Sequence, residues 1–156
     1  MGRDKRRLGQ LKFIASMFQM VMKELDNVMG PESIRTIFRL IGERQGEAIE
    51  KRMKDKFNVD NWTPEILADK LIQDVFNPAL GEGQAEIKVS DDEMIISLGV
   101  CPFQRAGIDT SDKFYCTYTE GLIETVAQKA LGNVSFKSDE LISEGKSCCT
   151  FDLKLT

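Results

Sequence analysis

The sequence has no histidine among its 156 residues. That absence excludes Ser-His-Asp and Cys-His nucleophile systems, histidine-ligated zinc or haem, and the usual proton shuttle near neutral pH. Glycine and proline are also sparse, at 12 and 4 residues, while hydrophobic residues make up 42% of the chain. This composition excludes collagen-like, mucin-like and largely disordered proteins. We therefore expect one domain over residues 1–156 with a substantial buried core.

Long apolar runs are missing as well. The stretch from Leu8 to Val28 resembles a signal peptide superficially, but polar residues interrupt it and no small-residue cleavage motif follows. No run approaches the roughly 18 apolar residues of a membrane span. We predict no membrane span and a cytoplasmic location. Because thiols stay reduced there, the four cysteines are expected to be metal ligands, reactive thiols or buried apolar groups rather than disulfides.

Positively charged residues are fewer than negatively charged ones. Asp and Glu outnumber Lys and Arg by 25 to 21, which gives a net charge of −4, so the surface should repel a phosphate backbone. The one dense basic run, Arg3, Lys5, Arg6 and Arg7, is typical of a solvated terminal tail. We expect no direct nucleic-acid binding.

The first predicted helix covers about residues 8–28. Its apolar residues recur at three- and four-residue spacing, which places them on one helical face: Leu11, Ile14, Phe18, Val21, Leu25 and Val28. Methionines widen this stripe, and they are typical either of flexible core packing or of a partner surface. We expect the N-terminal helix within residues 1–30 to mediate homodimerisation.

Two more helices are predicted in the first half of the chain. One begins near Glu32 and runs to about Lys56, and the other begins at the capping motif of Thr63 and ends at Asn77-Pro78. Gly42 and Gly46 lie inside the first of these. Because each glycine weakens a helix by about 1 kcal/mol, they indicate close helix packing or a backbone approached by another group.

The second half alternates strand and helix patterns. Apolar residues recur with a period of two in stretches 85–89, 94–100, 134–137 and 149–155, and with helical spacing over residues 112–131. The fold class predicted from this order is α+β, with a small antiparallel sheet of about four strands packed against several helices.

The four cysteines fall at the ends of predicted elements. Cys101 ends a strand, Cys116 lies near the start of the helix over residues 112–131, and Cys148 and Cys149 begin the last strand. A helix N-terminus favours the thiolate form that binds zinc, so we expect thiolate character at Cys116. Strand alternation points Cys149 inward and Cys148 outward. The residues alone leave open whether Cys101, Cys116 and Cys149 bind a metal or are small buried apolar groups.

Residues from Val100 to the C-terminus resemble the small-molecule-binding domain of the 4-vinyl reductase family, which is similar in fold to subunits of the Golgi transport-protein particle. The motifs that carry this resemblance are Cys101-Pro102-Phe103, then Cys116 with Gly121, and finally Gly145-x3-Cys149-x-Phe151. Leu141 stands where the family has a further cysteine, and Ser138 stands at its acidic position.

The resemblance implies a zinc site. Cys116 and Cys149 match two of the cysteines that hold zinc in relatives of this family, and Cys101 could replace the one lost at Leu141. The candidate metal ligands are therefore Cys101, Cys116 and Cys149, with zinc as the candidate cofactor. Cys148, a carboxylate, water or a bound molecule would complete the coordination.

Three classes of function stay open. The one we favour is a small-molecule-binding or sensor domain that buries a hydrophobic or aromatic molecule among side chains such as Phe57, Trp62, Phe76, Phe103 and Tyr118. The second is a vinyl-reductase-like enzyme or accessory protein in tetrapyrrole metabolism. No glycine-rich dinucleotide fingerprint is present, so we leave catalysis open, favour a non-enzymatic role and assign no catalytic residue. The third is an assembly or scaffold protein.

Overall fold

Helices and strands follow one another in the predicted α+β order. The computed structural model describes residues 2–156, with side chains from Asp4 onward. The helices are α1 (Gly2–Met29), α2 (Pro31–Phe57), α3 (Pro64–Leu71), α4 (Asn77–Leu80), α5 (Pro102–Arg105) and α6 (Phe114–Leu131). The strands are β1 (Ala85–Val89), β2 (Glu93–Leu98), β3 (Val134–Glu140) and β4 (Cys149–Leu155). The predicted fold class, a four-stranded antiparallel sheet with several helices, is confirmed.

The sheet has the strand order β1-β2-β4-β3, and every neighbouring pair is antiparallel. Its inner face is built by alternation: Met94, Ile96 and Leu98 of β2 are buried, as are Phe151 and Leu153 of β4. The register places Met94 opposite Leu153 and Ile96 opposite Phe151. These pairs form the floor of the main core, on which α2, α3 and α6 pack.

Helices α2 and α6 pack against each other through glycine. A Cβ added at Gly46 would lie 2.6 Å from the backbone oxygen of Leu122, and one at Gly121 would lie 2.6 Å from that of Arg39. Real Cβ atoms do not approach so closely, so only glycine permits this helix separation. The structure confirms close packing as the reason for the glycines of α2.

The sequence predicted that the third helix ends at Asn77-Pro78, and this prediction is wrong. After α3 the chain makes one π-helical turn over Ile72–Phe76 and continues into α4. The amide of Asn77 donates to the carbonyl of Ile72, five residues back. This wider turn shifts the register so that Pro78 falls in the first turn of α4, where a missing N–H costs nothing.

Helix α1 forms where a helix was predicted over residues 8–28, but it begins at Gly2, so the basic run expected to be a solvated tail belongs to the helix. Its apolar stripe faces outward. Of its large apolar side chains, Met22 is buried, whereas those of the predicted stripe are exposed. The helix contacts the body of the chain through a second small core that Met22 shares with Ile34, Phe38 and Tyr115. No helix among residues 2–156 is long and apolar enough to cross a membrane.

Candidate functional site

A pocket of about 280 Å³ opens between α2, α6 and the π-helical turn, and we call it the α2–α6 pocket. Its walls are mainly apolar, with polar groups at Gln45, Arg52, Asp74 and Thr119. The apolar residues that line it are Ile49, Val75, Phe76, Ala79, Leu80, Leu98, Pro102, Phe103, Tyr118, Leu122 and Ile123. A concave site with apolar walls and a few polar groups is the usual form of a small-molecule site.

Helical spacing explains how the two main walls arise. Gln45, Ile49 and Arg52 of α2 lie four and three residues apart, so they form one stripe on that helix. Tyr118 and Leu122 of α6 are likewise four residues apart and face them. The glycine contacts between α2 and α6 hold the two stripes at a constant separation.

The π-helical turn supplies the third wall. Asp74, Val75 and Phe76 all belong to it and all line the pocket. Such turns occur frequently at functional sites. The local sequence reason here is Pro78, whose ring and missing N–H disfavour an unbroken α-helix.

One edge of the pocket is charged. Arg52 donates two hydrogen bonds to one carboxylate oxygen of Asp74, from Nη2 at 2.8 Å and from Nε at 3.2 Å. Lys56 Nζ donates to the other carboxylate oxygen. The side chain of Asp74 is only 9% exposed, whereas that of Arg52 is 51% exposed. The hydrogen bond from Lys56 holds the pKa of Asp74 below its usual range; burial opposes this effect, and Arg52 adds to it. Asp74 is therefore ionised at neutral pH and orients both cations.

The Cys101-Pro102-Phe103 motif forms the far wall. Pro102 and Phe103 start α5 and line the pocket. Arg105 at the end of α5 donates to the carbonyl of Leu80, 2.8 Å away, and this bond ties α5 to α4. The rings of Phe103 and Tyr118 meet edge to face with centroids 6.1 Å apart, and burial raises the pKa of Tyr118, so its phenol stays neutral.

Three of the five predicted aromatic residues line this pocket: Phe76, Phe103 and Tyr118. The other two lie elsewhere. The indole nitrogen of Trp62 donates to Glu50 Oε1 at 2.7 Å, and the ring of Phe57 lies beneath the ammonium group of Lys70, 4.7 Å from the centroid.

The cysteines form a separate neighbourhood. Cys101, Cys116 and Cys149 are each half-buried, and Cys116 and Cys149 pack against the main core. The Sγ of Cys116 lies 3.2 Å from Ser143 Oγ, and the Sγ of Cys149 accepts a hydrogen bond of 3.3 Å from the amide of Ile142. The inward direction predicted for Cys149 is confirmed.

Burial governs the chemistry of these thiols. It raises the pKa of Cys149 to about 11, with smaller increases from the neighbouring cysteines. Burial also raises the pKa of Cys116, against the effect of Ser143. The thiolate character expected at Cys116 from its helix N-terminus is therefore wrong, because desolvation of the charge is the larger effect.

Among residues 4–156, no three Cys, Asp or Glu side chains converge in a way that could hold a metal ion. The Sγ atoms of Cys116 and Cys149 are instead occupied by the hydrogen bonds described above. Zinc binding by Cys101, Cys116 and Cys149 stays a prediction.

The family is decided by a comparison over nearly the whole chain. The family model described as L-2-amino-thiazoline-4-carboxylic acid hydrolase matches residues 7–153, from α1 into β4. The chain belongs to this hydrolase family. The predicted resemblance to 4-vinyl reductase domains is confirmed for the fold. Membership of the 4-vinyl reductase family itself is not confirmed.

A solved structure supports the fold of this hydrolase family member. It is the trafficking protein particle complex subunit 3 from Naegleria fowleri, covalently bound to palmitic acid. The two share 15% sequence identity, the alignment covers 94% of this chain and 95% of the other, and the TM-score is 0.65. The predicted similarity in fold to transport-particle subunits is therefore confirmed. Among curated proteins, no sequence matches the chain.

Sequence reasoning missed the charged edge of the pocket. Arg52 and Asp74 are 22 residues apart and belong to different elements, so no local pattern joins them. A partial signal existed on α2, where Gln45, Ile49 and Arg52 share one helical stripe. Asp74 carried no such signal, because its position depends on the π-helical turn.

Proposed function

We propose that this chain binds a compact small molecule, apolar over most of its surface and carrying an anionic group, in the α2–α6 pocket. The observation that carries the proposal is the combination of apolar walls with Arg52 at one edge, in a group with Lys56 and Asp74 that carries one net positive charge. A ligand that buries ~250 Å² of apolar surface gains about 6 kcal/mol at ~25 cal/mol/Å². Against the cost of association, this corresponds to binding in the micromolar range or weaker.

The charge balance at the edge favours an anion. Arg52 and Lys56 face one carboxylate, that of Asp74, so the group carries one net positive charge. Arg52 uses Nε and Nη2 toward Asp74, and a guanidinium has five N–H donors. The donors that remain can bind a carboxylate or a similar group while Asp74 holds Arg52 in place.

The transport-particle subunit with the same fold supports this chemistry. Palmitic acid is covalently bound in that subunit, and its long hydrocarbon chain supports the apolar part of the ligand proposed here. The pocket of about 280 Å³ lies just below the usual range for ligand sites, about 300–1,000 Å³. We therefore expect a shorter acid here.

The test is calorimetric titration with octanoate and, as its uncharged counterpart, octanol. The wild-type protein should bind octanoate more tightly, and Arg52→Gln should remove roughly a tenfold preference for the acid. Arg44→Gln is the matched control, because Arg44 is an exposed arginine of α2 outside the pocket. Equal binding of both compounds, or equal effects of the two variants, would contradict the proposal.

A second candidate function is hydrolysis, and the family match over residues 7–153 favours it. A 2-amino-thiazoline-4-carboxylate has a carboxylate, which Arg52 would bind, and an amidine-like group, which the ionised Asp74 would bind. In the reaction, water adds to ring carbon C2, the C2–S bond breaks, and the sulfur takes up a proton. The product is a carbamoyl-substituted cysteine.

Mass spectrometry tests the second candidate, since ring opening adds one water to the substrate mass. Wild-type protein and Arg44→Gln should form the product, while Asp74→Asn and Arg52→Gln should lose most of the rate. Absence of product with the wild-type protein would eliminate hydrolysis and leave the binding proposal to the calorimetric test.

A further inference from the structure

The outer face of α1 is a large apolar surface, and this inference does not depend on the pocket. Phe13 is 74% exposed and Val28 is 83% exposed, which is unusual for side chains of this kind on a single helix. The exposed apolar residues of α1, which we call the α1 face, are Leu8, Leu11, Phe13, Ile14, Met17, Phe18, Met20, Val21, Leu25, Val28 and Met29.

Most of the α1 face is distinct from the side of the helix that packs on the body. The exceptions are Phe18, whose ring also contacts Phe38 and Tyr115, and Leu8, which lies in line with the inner side. That inner side consists of Ala15, Gln19, Met22 and Asp26, at four- and three-residue spacing, and these are buried or half-buried. The helix turns by about 100° per residue, so the α1 face occupies roughly half of the circumference beside this inner stripe. The helix thus has a narrow contact with its own chain and a broad apolar surface that its own chain does not cover.

The size of the α1 face matches a stable interface. Large side chains present on the order of 150–200 Å² each when free, so eleven of them at about half exposure present roughly 800–1,100 Å². A specific interface buries about 800 Å² on each partner, whereas the largest apolar patch of an ordinary monomer is about 300–600 Å².

The charges along α1 indicate the partner and its direction. On the α1 face, Arg6 and Arg7 lie near the start of the helix and Glu24 lies near its end, whereas the other charged residues Asp4, Lys5, Lys12 and Lys23 project from other sides of the helix. Arg6 and Glu24 are 18 residues apart, which is five full turns, so they lie on one line along the helix. None of the ion pairs within residues 4–156 involves Arg6, Arg7 or Glu24.

We propose that the α1 face binds a second copy of this chain, with the two α1 helices antiparallel. In this arrangement the basic start of each helix lies beside Glu24 of the other copy, at both ends of a two-fold symmetric contact. A parallel arrangement would instead place Arg6 and Arg7 beside their own equivalents, and like charges in contact are unfavourable. The methionines of the face can adapt to the opposing surface.

Light scattering and sedimentation over a range of protein concentrations test the dimer. At micromolar concentration the wild-type protein should have twice the chain mass of 17.6 kDa. Phe13→Glu and Val28→Glu should each weaken the dimer by roughly tenfold or more, without loss of helical circular dichroism, because both residues are exposed in the single chain. Ser16→Glu adds the same charge to an exposed position of α1 outside the α1 face and should leave the dimer intact.

A charge exchange tests the direction. Glu24→Arg alone should weaken the dimer several-fold, as should the double variant Arg6→Glu/Arg7→Glu. Combining all three substitutions restores opposite charges across an antiparallel contact and should return the affinity to within about twofold of the wild type. A combined variant as weak as the single changes would overturn the antiparallel arrangement.

The α1 face could be covered by lipid instead, and one measurement decides this. Vesicles of mixed phosphatidylcholine and phosphatidylserine should not co-sediment with the wild-type dimer, because its apolar surface is already covered. A monomeric wild-type protein would overturn the proposal whether or not it co-sediments with these vesicles, and co-sedimentation would show that lipid covers the α1 face.

Discussion

Replacing Gly121 by alanine tests the packing that sets the distance between the two main walls of the pocket. In an open helical position this change stabilises a protein by about 1 kcal/mol, because glycine has more backbone freedom to lose on folding. At Gly121 the new Cβ would lie 2.6 Å from the backbone oxygen of Arg39 and 3.2 Å from the backbone nitrogen of Glu43. Both atoms belong to the backbone of α2, so one helix must move.

The magnitude follows from these two opposing effects. Overpacking in a well-packed interior costs about 1–3 kcal/mol, and a collision with backbone belongs at the upper end of that range. After subtraction of the helix-propensity gain, we expect the free energy of unfolding to fall by about 2 kcal/mol. For a chain of this length, this lowers the melting temperature by roughly 4–8 °C.

Urea denaturation followed by circular dichroism measures this change. Gly9→Ala is the matched control, because Gly9 is also helical and an added Cβ there meets nothing within 4 Å; this variant should be at least as stable as the wild type. Gly121→Ala should also weaken octanoate binding, since the walls must separate. If Gly121→Ala proved as stable as Gly9→Ala, the glycine-dependent packing would be refuted.

Three further predictions concern single groups. Since burial raises the pKa of Cys149 to about 11, its alkylation by iodoacetamide, followed by peptide mass spectrometry, should rise about tenfold per pH unit between pH 8 and 10; a rate already constant at pH 8 would contradict this. The pKa of Asp74 is lower in the folded protein than in the unfolded chain, where it is about 3.9. The ionised carboxylate therefore stabilises the folded state above pH 3.9, and this stabilisation is lost as the pH falls through the pKa of the folded protein. Asp74→Asn should flatten that part of the curve of unfolding free energy against pH, and an unchanged curve would show that the ion pairs do not stabilise the fold. The hydroxyl of Tyr115 is buried with no hydrogen-bond partner among the described residues. Tyr115→Phe should therefore leave the free energy of unfolding unchanged or raise it by up to about 1 kcal/mol. If urea denaturation showed that the variant loses more than about 1 kcal/mol, the hydroxyl would have a hydrogen-bond partner in the folded protein.

Local patterns predicted the sheet and the close helix packing well. The alternation around Ile96 and Phe151 was sufficient because one face of the sheet is buried along its whole length, and a period of two then identifies each strand. Gly46 was informative for a similar reason, since a glycine inside a helix needs a compensating contact. Both inferences depend on constraints that act within a few residues of the chain.

The charged edge and the role of α1 could not be predicted in the same way. The ion pair between Arg52 and Asp74 depends on how α2 and the π-helical turn meet, and that meeting is a tertiary property. For α1, the apolar stripe containing Val28 has the spacing of a buried face, and spacing alone does not say whether the same chain or another molecule covers it. At Cys116 the helix N-terminus was visible in the sequence, but the burial that outweighs it was not.

The most direct test of the account is an NMR titration of the methyl-labelled protein with octanoate. If the α2–α6 pocket is the binding site, the methyl signals of Leu98, Leu122 and Ile123 should shift together and saturate at one affinity. Arg44→Gln should leave the shifts and their affinity unchanged, and Arg52→Gln should lower the affinity at which the shifts saturate. Shifts confined to the α1 face, or no saturable shift at all, would contradict the proposed function.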